Sequence, residues 1–277
     1  MANITAADVN KLRKQTGAGM MDCKKALVEA EGDFDAAIDI LRKKGQKVAA
    51  KRADREASEG AVLAITNGDN TTGVLVSVNC ETDFVAKNEG FVDLATSILN
   101  VALANTPDSK DALLALSFDD SMTVGEKLTE QTGVIGEKIE VAAYEKLDAP
   151  FVAAYIHAGN KLASLVGLSG VPSADDAGKN VAMQVAAMSP IAVDKDGVDQ
   201  ATIDRELEVG RDLARQEGKP EEMLDRIAQG RLGKFFKENT LMSQAFIKES
   251  KQSVADYLNS VDKGLTATAF KRVGLGG

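Results

Sequence analysis

Apolar residues in the first 45 positions recur at intervals of three and four, which is the spacing of one face of an α-helix. Thr5 can cap a first helix, and the stretch TGAG at 16–19 can end it. A second helix covers MMDCKKALVEA at 20–30, and Asp33 caps a third helix that we expect Gly45 to end. Three short helices joined by glycine-containing turns predict a small module of the ubiquitin-associated type.

Strand-like alternation replaces the helical spacing after residue 60. AVLAIT at 61–66 and TGVLVSVNC at 72–80 flank the turn NGDN and predict a β-hairpin. A single helix is expected to follow over 84–104. The same order of hairpin, loop and helix returns over 151–189, about 90 residues later. This internal repeat predicts two similar α+β subdomains.

The remaining segments connect or extend the two subdomains. Two V/I-G-E-K units, at 124–127 and 135–138, lie in a stretch expected to hold a helix and a linking strand. Over 200–237, apolar residues alternate steps of four and three around a short turn, which predicts an antiparallel helical hairpin that projects outward. A strand, a turn and a helix are expected at 241–260, and a short strand at 266–277.

These elements predict an α+β fold class with a three-helix ubiquitin-associated-like module, two core subdomains, a coiled-coil hairpin and a C-terminal module. The predicted division of the chain is 1–55 for the three-helix module with its basic linker, 56–145 for core subdomain N, 146–199 together with 238–262 for core subdomain C, 200–237 for a coiled-coil hairpin inserted in subdomain C, and 263–277 for a C-terminal strand.

The composition of the chain indicates which class of partner it can bind. The 277 residues are 44% hydrophobic but only 4% aromatic. A net charge of −9 argues against a general nucleic-acid binder, which needs a basic face to displace counterions from phosphates. The local exception is RKKGQKVAAKRADR at 42–55, with seven basic side chains and one acidic one. No aromatic residue is interleaved for base stacking, which favours a solvated, partly helical linker over an RNA contact.

The sequence offers little for catalysis or metal binding. His157 is the only histidine, and Cys23 and Cys80 lie far apart without a CxxC pair. TGAGMMDCKK at 16–25 lacks the GxxxxGK[ST] frame of a phosphate loop. We therefore expect no enzyme activity, no cofactor and no metal, and two reduced, buried thiols.

Nothing in the sequence predicts export or membrane insertion. The stretch MANITAADVNKLRKQ lacks the apolar core of a secretory signal, and no run reaches the roughly 18 apolar residues of a membrane span. The expected location is the cytoplasm.

Several apolar residues occupy positions where exposure is expected. Met20 and Met21 are adjacent, so one helix cannot bury both on the same face. Phe84 follows Thr82 and Asp83, and we expect Asp83 to cap a helix with Phe84 at its tip. A ring at a helix tip either folds back into the core or points outward at a partner, and the sequence leaves both open. Other candidates at expected loop or strand ends are Ile135, Gly136, His157 and Ile247.

Two long motifs resemble the bacterial elongation factor Ts family. ITAADVNKLRKQTGAGMMDCKKALVEAEGDFDAAIDILRKKG at 4–45 resembles its amino-terminal module, and VNCETDFVAKNEGF at 78–91 resembles its core signature. The resemblance covers nearly the whole chain, including the repeated subdomains and the helical hairpin. It implies guanine nucleotide exchange, because the family binds the GTPase elongation factor Tu in its GDP-bound state and speeds GDP release.

The resemblance also implies which residues touch that partner. The segment Thr82, Asp83, Phe84 and Val85 matches the one that dislocates Mg²⁺, with Phe84 as a wedge between two helices beside the nucleotide site. Further implied contacts are Arg13, Met20, Met21 and Lys24 with the GTPase domain, Ile135 and Gly136 near the base-binding side, His157 beside the wedge, and Ile247 in the C-terminal segment. AGNKLASLV, after His157, departs in loop length from the family's H-G-x-R-hydrophobic run.

The sequence leaves two other functions open. The first 45 residues permit a non-catalytic ubiquitin-associated-like adaptor, and the run at 42–55 permits an RNA-binding translation factor. The TDFV segment and the repeated unit argue against the adaptor, and the acidic total argues against RNA. We expect no stable nucleic-acid binding and no membrane contact, while a homodimer and a heterotetramer with elongation factor Tu both stay open.

Overall fold

A computed structural model of the chain describes residues 4–276. It confirms the three N-terminal helices, α1 (Ala6–Thr16), α2 (Met20–Glu29) and α3 (Phe34–Arg52). Thr5 caps α1 through its side chain, and Gly17 ends it at a φ of +69°. The buried core of this part consists of Val9, Leu12, Ala18, Cys23, Ala26, Leu27 and Ala37.

The prediction that Gly45 ends the third helix is wrong, because α3 continues to Arg52. Gly45 is instead buried against helix α7 (Val124–Ile135), where a side chain on Gly133 would overlap the Gly45 Cα atom. The absence of both side chains lets the two helix backbones touch. This glycine therefore serves helix packing rather than helix termination.

The basic run at 42–55 is consequently mostly helix rather than linker. Two of its cations have carboxylate partners within the chain, because Lys44 pairs with Asp22 and Arg52 pairs with Glu81.

The chain divides into two compact units, which are described separately. The first comprises the residues through Leu63, Val76–Glu145 and the residues from Gly274, and the second comprises Ala64–Leu75 and Lys146–Val273. Within residues 4–276, no helix combines the length and the apolar character needed to traverse a bilayer.

The first predicted hairpin is confirmed, with strands β1 (Glu59–Thr66) and β2 (Thr72–Cys80). Strand β5 (Glu140–Asp148) completes a three-stranded sheet of order β1-β2-β5. Helix α7 and strand β5 are the helix and linking strand expected between the repeats. The smaller elements before α7 are α6 (Lys110–Ala115), β3 (Ser117–Asp119) and β4 (Met122–Thr123).

The single helix expected over 84–104 is two helices. Helix α4 (Asp83–Ala86) makes only one turn, and helix α5 (Glu89–Asn105) starts anew. The break lies at Asn88, whose side-chain oxygen accepts from the Gly90 N–H at 2.9 Å and so caps α5. The segment with Phe84 is thereby separated from the long core helix.

The second hairpin pairs β6 (Phe151–Ile156) antiparallel to β7 (Leu162–Leu168), followed by helix α8 (Ala177–Met188). Strand β10 (Ala267–Gly274) pairs with β7 and gives the order β10-β7-β6. These elements confirm the mixed α+β class. The core of this unit consists of Val166, Leu168, Val181, Ala182, Val185, Leu241, Phe246, Val254, Leu258, Leu265 and Ala267.

The repeated hairpins have the same turn geometry. The N–H of Asn67 closes the first turn at 2.9 Å, and the N–H of His157 closes the second at 2.8 Å. Three residues further on, Asn70 and Asn160 share a φ of +56°. Asn67 and His157 are therefore equivalent positions of the repeat, about 90 residues apart.

The predicted helical hairpin consists of α9 (Gln200–Gln216) and α10 (Leu224–Asn239). Gly210 lies against Ala228, where an added Cβ atom would be 3.1 Å from the Ala228 Cα atom. Since these residues lie at similar distances before and after the turn, the two helices run antiparallel. The elements that follow are β8 (Ala245–Phe246), β9 (Glu249–Ser253) and α11 (Val254–Val261).

The contact between Gly45 and Gly133 predicts that Gly133→Ala destabilises the protein. The added methyl group has no space between the α3 and α7 backbones, so the free energy of unfolding should fall by about 1–3 kcal/mol. Urea denaturation followed by circular dichroism measures this change. Gly230→Ala is the matched control, because this helical glycine has nothing within 4 Å of the added carbon and should gain up to about 1 kcal/mol. Equal stability of Gly133→Ala and the parent would contradict the packing role.

Candidate functional site

Phe84 points away from the protein core. It is the second residue of the one-turn helix α4, and 84% of its surface is exposed. Of the two alternatives that the sequence left open for this ring, burial is therefore excluded. An aromatic ring held in solvent is available to another molecule.

The residue that caps α4 is Thr82, so the prediction that Asp83 does so is wrong. Thr82 has an extended backbone, and its side-chain oxygen accepts from the Val85 N–H at 3.5 Å. Asp83 is the first helical residue, and its carboxylate pairs with Lys87 at 2.7 Å. The hydrogen bond that the Lys87 ammonium donates to that carboxylate raises the pKa of Lys87. Asp83 thus braces the exposed side of the turn instead of capping it.

Glu137 fastens the start of α4 from another part of the chain. The Thr82 N–H donates to its Oε2 atom at 3.0 Å, and the Thr82 hydroxyl donates to Oε1 at 2.7 Å. Glu137 directly follows Gly136, which ends α7 at a φ of +82°. The structure therefore brings two predicted sites together, Thr82–Val85 and the pair formed by Ile135 and Gly136.

Glu81 provides a second attachment one residue earlier. Arg52 Nη1 donates to both carboxylate oxygens of Glu81, at 2.8 and 2.9 Å. The main-chain N–H of Lys138 donates to Glu81 Oε1 at 2.6 Å. This N–H bond, followed by the Arg52 guanidinium, lowers the pKa of Glu81 below its ordinary value. The carboxylate is therefore ionised at neutral pH and holds both donors.

Sequence reasoning missed Glu81, Glu137 and Arg52 as parts of this site. Glu137 and Lys138 belong to the second V/I-G-E-K unit, which is the only signal that could have pointed to them. The first unit performs a different task, because its Glu126 shares a capping box with Thr123 at the start of α7.

Cys80 lies beneath the same segment as a neutral thiol. Its Sγ atom donates to the Thr82 carbonyl oxygen at 3.2 Å, and its side chain is buried. Burial, with a further contribution from the Glu137 carboxylate, raises the pKa of this thiol to about 12. The expectation of a buried, free thiol is confirmed for Cys80 and also for Cys23.

The N-terminal candidates lie on the surface of α1 and α2. Met20 is 52% exposed and Met21 is 62% exposed, so neither belongs to the core. Met21 and Lys24 line a shallow depression together with Val28, an exposed apolar residue that the sequence analysis did not single out. Arg13 is exposed in the last turn of α1.

His157 and Ile247 belong to the second unit and both occupy turns. The exposed His157 ring has its Nδ1 atom 3.0 Å from the Tyr155 hydroxyl. Ile247 follows strand β8, and its N–H donates to the Gln184 side chain at 2.8 Å. Lys248, the next residue, donates to the Asn180 side-chain oxygen on α8 at 2.5 Å. The turn with Ile247 is thus fastened to helix α8.

Within residues 4–276, no group of three or more His, Cys, Asp or Glu side chains is arranged to hold a metal ion.

Comparison with known proteins decides the family. A family model described as Elongation factor TS matches residues 81–277, which includes the whole segment around Phe84. Over its full length the chain is 63% identical to Elongation factor Ts of Christiangramia forsetii, and the match covers all of both chains. The chain belongs to the elongation factor Ts family.

Other relatives in the elongation factor Ts family agree with this assignment. Elongation factor Ts of Flavobacterium psychrophilum is 57% identical over all of both chains. Elongation factor Ts of Amoebophilus asiaticus is 54% identical over 99% of each chain. The resemblance inferred from the two motifs is confirmed, and the family places this chain among the translation elongation factors.

The environment of Cys80 predicts that its thiol is unreactive in the folded protein. With a pKa of about 12, roughly one thiol in 10,000 is ionised at pH 8, and the side chain is also buried. Iodoacetamide should therefore leave Cys80 unmodified at pH 8 and label it once urea unfolds the chain. Peptide mass spectrometry measures both states, and labelling of the native protein at the rate of a free cysteine would contradict this environment.

Proposed function

We propose that this elongation factor Ts family member is the guanine nucleotide exchange factor of the GTPase elongation factor Tu. The observation that carries the proposal is the Phe84 ring, which is exposed on a one-turn helix whose start is fastened at Glu81 and Thr82. A large apolar ring held outside its own core favours a contact with another protein. Family membership and the resemblance of the TDFV motif support the GTPase elongation factor Tu as that protein.

In the proposed mechanism, Phe84 enters between two helices beside the nucleotide site. The GTPase holds GDP through a phosphate loop and Mg²⁺, the largest local charge in such a site. Separating the helices misplaces the Mg²⁺ ligands and the phosphate donors, so GDP binds more weakly. Each loss of about 1.4 kcal/mol in nucleotide affinity corresponds to about tenfold in Kd.

Coupling between the two binding events is reciprocal. Nucleotide binding to the GTPase must weaken the grip of the exchange factor by the same factor. The ternary complex therefore forms briefly and resolves toward the more abundant nucleotide. In this scheme the exchange factor uses no metal or cofactor of its own, and it makes and breaks no covalent bond.

We assign the remaining contacts by similarity to the family. The exposure of Met20 and Met21 supports docking of the N-terminal module on the GTPase domain. The other assigned contacts are Arg13 and Lys24 in the same module, Thr82, Asp83 and Val85 around the wedge, Ile135 and Gly136 near the base-binding side, His157 beside the wedge, and Ile247 in the C-terminal segment.

We also propose roles for two architectural parts. Helices α1 to α3 form the ubiquitin-associated-like docking module, and α9 with α10 form a coiled-coil hairpin at 200–237. The alternating apolar spacing of α9 and α10 and the close contact of Gly210 with Ala228 support the coiled coil.

Phe84→Ala is expected to slow GDP release by at least about tenfold, because truncation removes the wedge. The fold should stay intact, since most of the ring makes no internal contact. Stopped-flow release of a fluorescent GDP from elongation factor Tu measures the rate. Val171→Ala is the matched control, because Val171 is 72% exposed and is not an assigned contact. A parent-like release rate for Phe84→Ala would rule out the wedge.

Met20→Ala and Met21→Ala should weaken association more than they slow the release step. Loss of a buried methionine contact corresponds to about 5- to 30-fold in Kd at an interface. Titration calorimetry with nucleotide-free elongation factor Tu measures the affinity, and stopped flow at saturating concentration measures the rate. Met188→Ala serves as control, because Met188 is 46% exposed and not an assigned contact. Unchanged affinity in both variants would remove the docking role.

A further inference from the structure

The helix that presents Phe84 has little stability of its own. Helix α4 (Asp83–Ala86) is one turn long, and a single helical turn is not stable in water without support. Because the ring is mostly exposed, packing does not fix its direction. The direction is set by the backbone of residues 81–83, and this backbone is held by side chains from distant parts of the sequence.

Glu137 holds the residue on which α4 depends. Its carboxylate accepts from both the N–H and the hydroxyl of Thr82, at 3.0 and 2.7 Å. The same hydroxyl oxygen accepts from the Val85 N–H in the first turn of the helix. One carboxylate therefore fixes the main chain that enters the helix and the side chain that caps it.

The attachment is reciprocal. Glu137 accepts from Thr82, and the adjacent Lys138 N–H donates to the Glu81 carboxylate at 2.6 Å. Two consecutive residues of one segment thus bind two consecutive residues of the other, and Arg52 supports Glu81 from a third direction. Hydrogen bonds to ionised groups are about twice as strong as neutral ones, which makes this a firm junction.

We propose that Glu137 is a positioning residue for nucleotide release, which acts by holding Thr82 so that α4 presents Phe84 in a fixed direction. This inference rests on the proposed exchange function and assigns Glu137 no contact with the nucleotide. A ring that is already oriented does not have to be ordered as it enters the partner, so preorganisation favours the release step.

Three substitutions separate this role from a general effect on stability. Glu137→Ala removes both acceptors of Thr82. Glu137→Gln keeps one oxygen for the Thr82 N–H, and its amide can donate to the Thr82 hydroxyl oxygen, so partial rescue is expected. Glu130→Gln is the control, because Glu130 lies on α7 with an 18% exposed side chain and pairs with Lys127 instead.

The first measurement is stopped-flow GDP release over a range of exchange-factor concentrations. Glu137→Ala should lower the maximal rate by about tenfold and shift the half-saturating concentration by less than about twofold. Glu137→Gln should lie between Glu137→Ala and the parent, and Glu130→Gln should match the parent. The double variant Phe84→Ala/Glu137→Ala should be no slower than Phe84→Ala, because Glu137 acts only through the ring.

The second measurement does not involve the GTPase. Amide hydrogen exchange of residues 82–87 should be faster in Glu137→Ala than in the parent or in Glu130→Gln, while exchange of the core amides of α5 should be unchanged. If Glu137→Ala fails to fold, Glu137→Gln and Thr82→Val are measured in the same way.

The outcomes distinguish failure of the Glu137 positioning role from failure of the proposed exchange function. Three results would overturn the positioning role and leave the exchange function standing. They are parent-like amide exchange in Glu137→Ala, a parent-like maximal rate in Glu137→Ala while Phe84→Ala is slow, and additive effects in the double variant. A parent-like rate for Phe84→Ala would overturn the exchange mechanism and the positioning role together.

Discussion

The two hydrogen bonds between Thr82 and the Glu137 carboxylate are the constraint on which the presentation of Phe84 depends. Without them, only the bonds of Glu81 and the Asp83–Lys87 pair would support a four-residue helix that carries an exposed aromatic ring, and a single turn is not stable by itself. Both bonds are partly buried and end on a carboxylate, and hydrogen bonds to charged groups contribute about 1.5–3 kcal/mol each. Their geometric effect is as important, because they join two chain segments that are far apart in sequence.

The junction in turn depends on how helices α3 and α7 meet. Both supply a partner to the segment at 81–82, Arg52 from the end of α3 and Glu137 just after the end of α7. Gly45 and Gly133 bring these helices into backbone contact. Gly45 lies about two turns before Arg52, and Gly133 lies about one turn before Glu137. A larger residue at this crossing would force the two helices apart, so we expect it to change the distance between the two anchors as well.

Much of the fold could be predicted from the sequence, because periodicity and turn chemistry are local signals. The hairpins, the repeat and the three N-terminal helices follow from such signals. The prediction for Gly45 fails because a glycine needed for close helix packing has the same local signature as one that ends a helix. The sequence does not decide between Thr82 and Asp83 as the cap of α4, because both are good capping residues and the distant Glu137 carboxylate holds Thr82 in that position.

The residues of the candidate site were likewise predictable only where a local pattern indicates their position. The exposure of at least one of Met20 and Met21 could be anticipated, because one helix cannot bury two adjacent residues on the same face, whereas the direction of the Phe84 ring could not be decided from the sequence. The anchoring roles of Glu81 and Glu137 could not be predicted, because a contact between residues 55 positions apart leaves no periodic pattern in a single sequence. Nothing local distinguishes Glu137 from a solvated acid, which is the default interpretation of a charged residue.

The two equivalent hairpin turns begin with Asn67 and His157, and these side chains make different hydrogen bonds. Asn67 turns its amide oxygen back onto the loop and accepts from the N–H groups of Thr71 and Thr72, at 2.9 and 3.0 Å. The main-chain N–H of His157 closes its loop by donating to the Leu162 carbonyl oxygen, and the His157 ring lies beside Tyr155. The first side chain of one turn therefore holds its own loop, whereas that of the other contacts the neighbouring strand β6. Losing the Asn67 side chain would remove two hydrogen bonds from its loop, whereas the exposed ring of His157 can serve a contact outside the chain without weakening the main-chain closure of its turn.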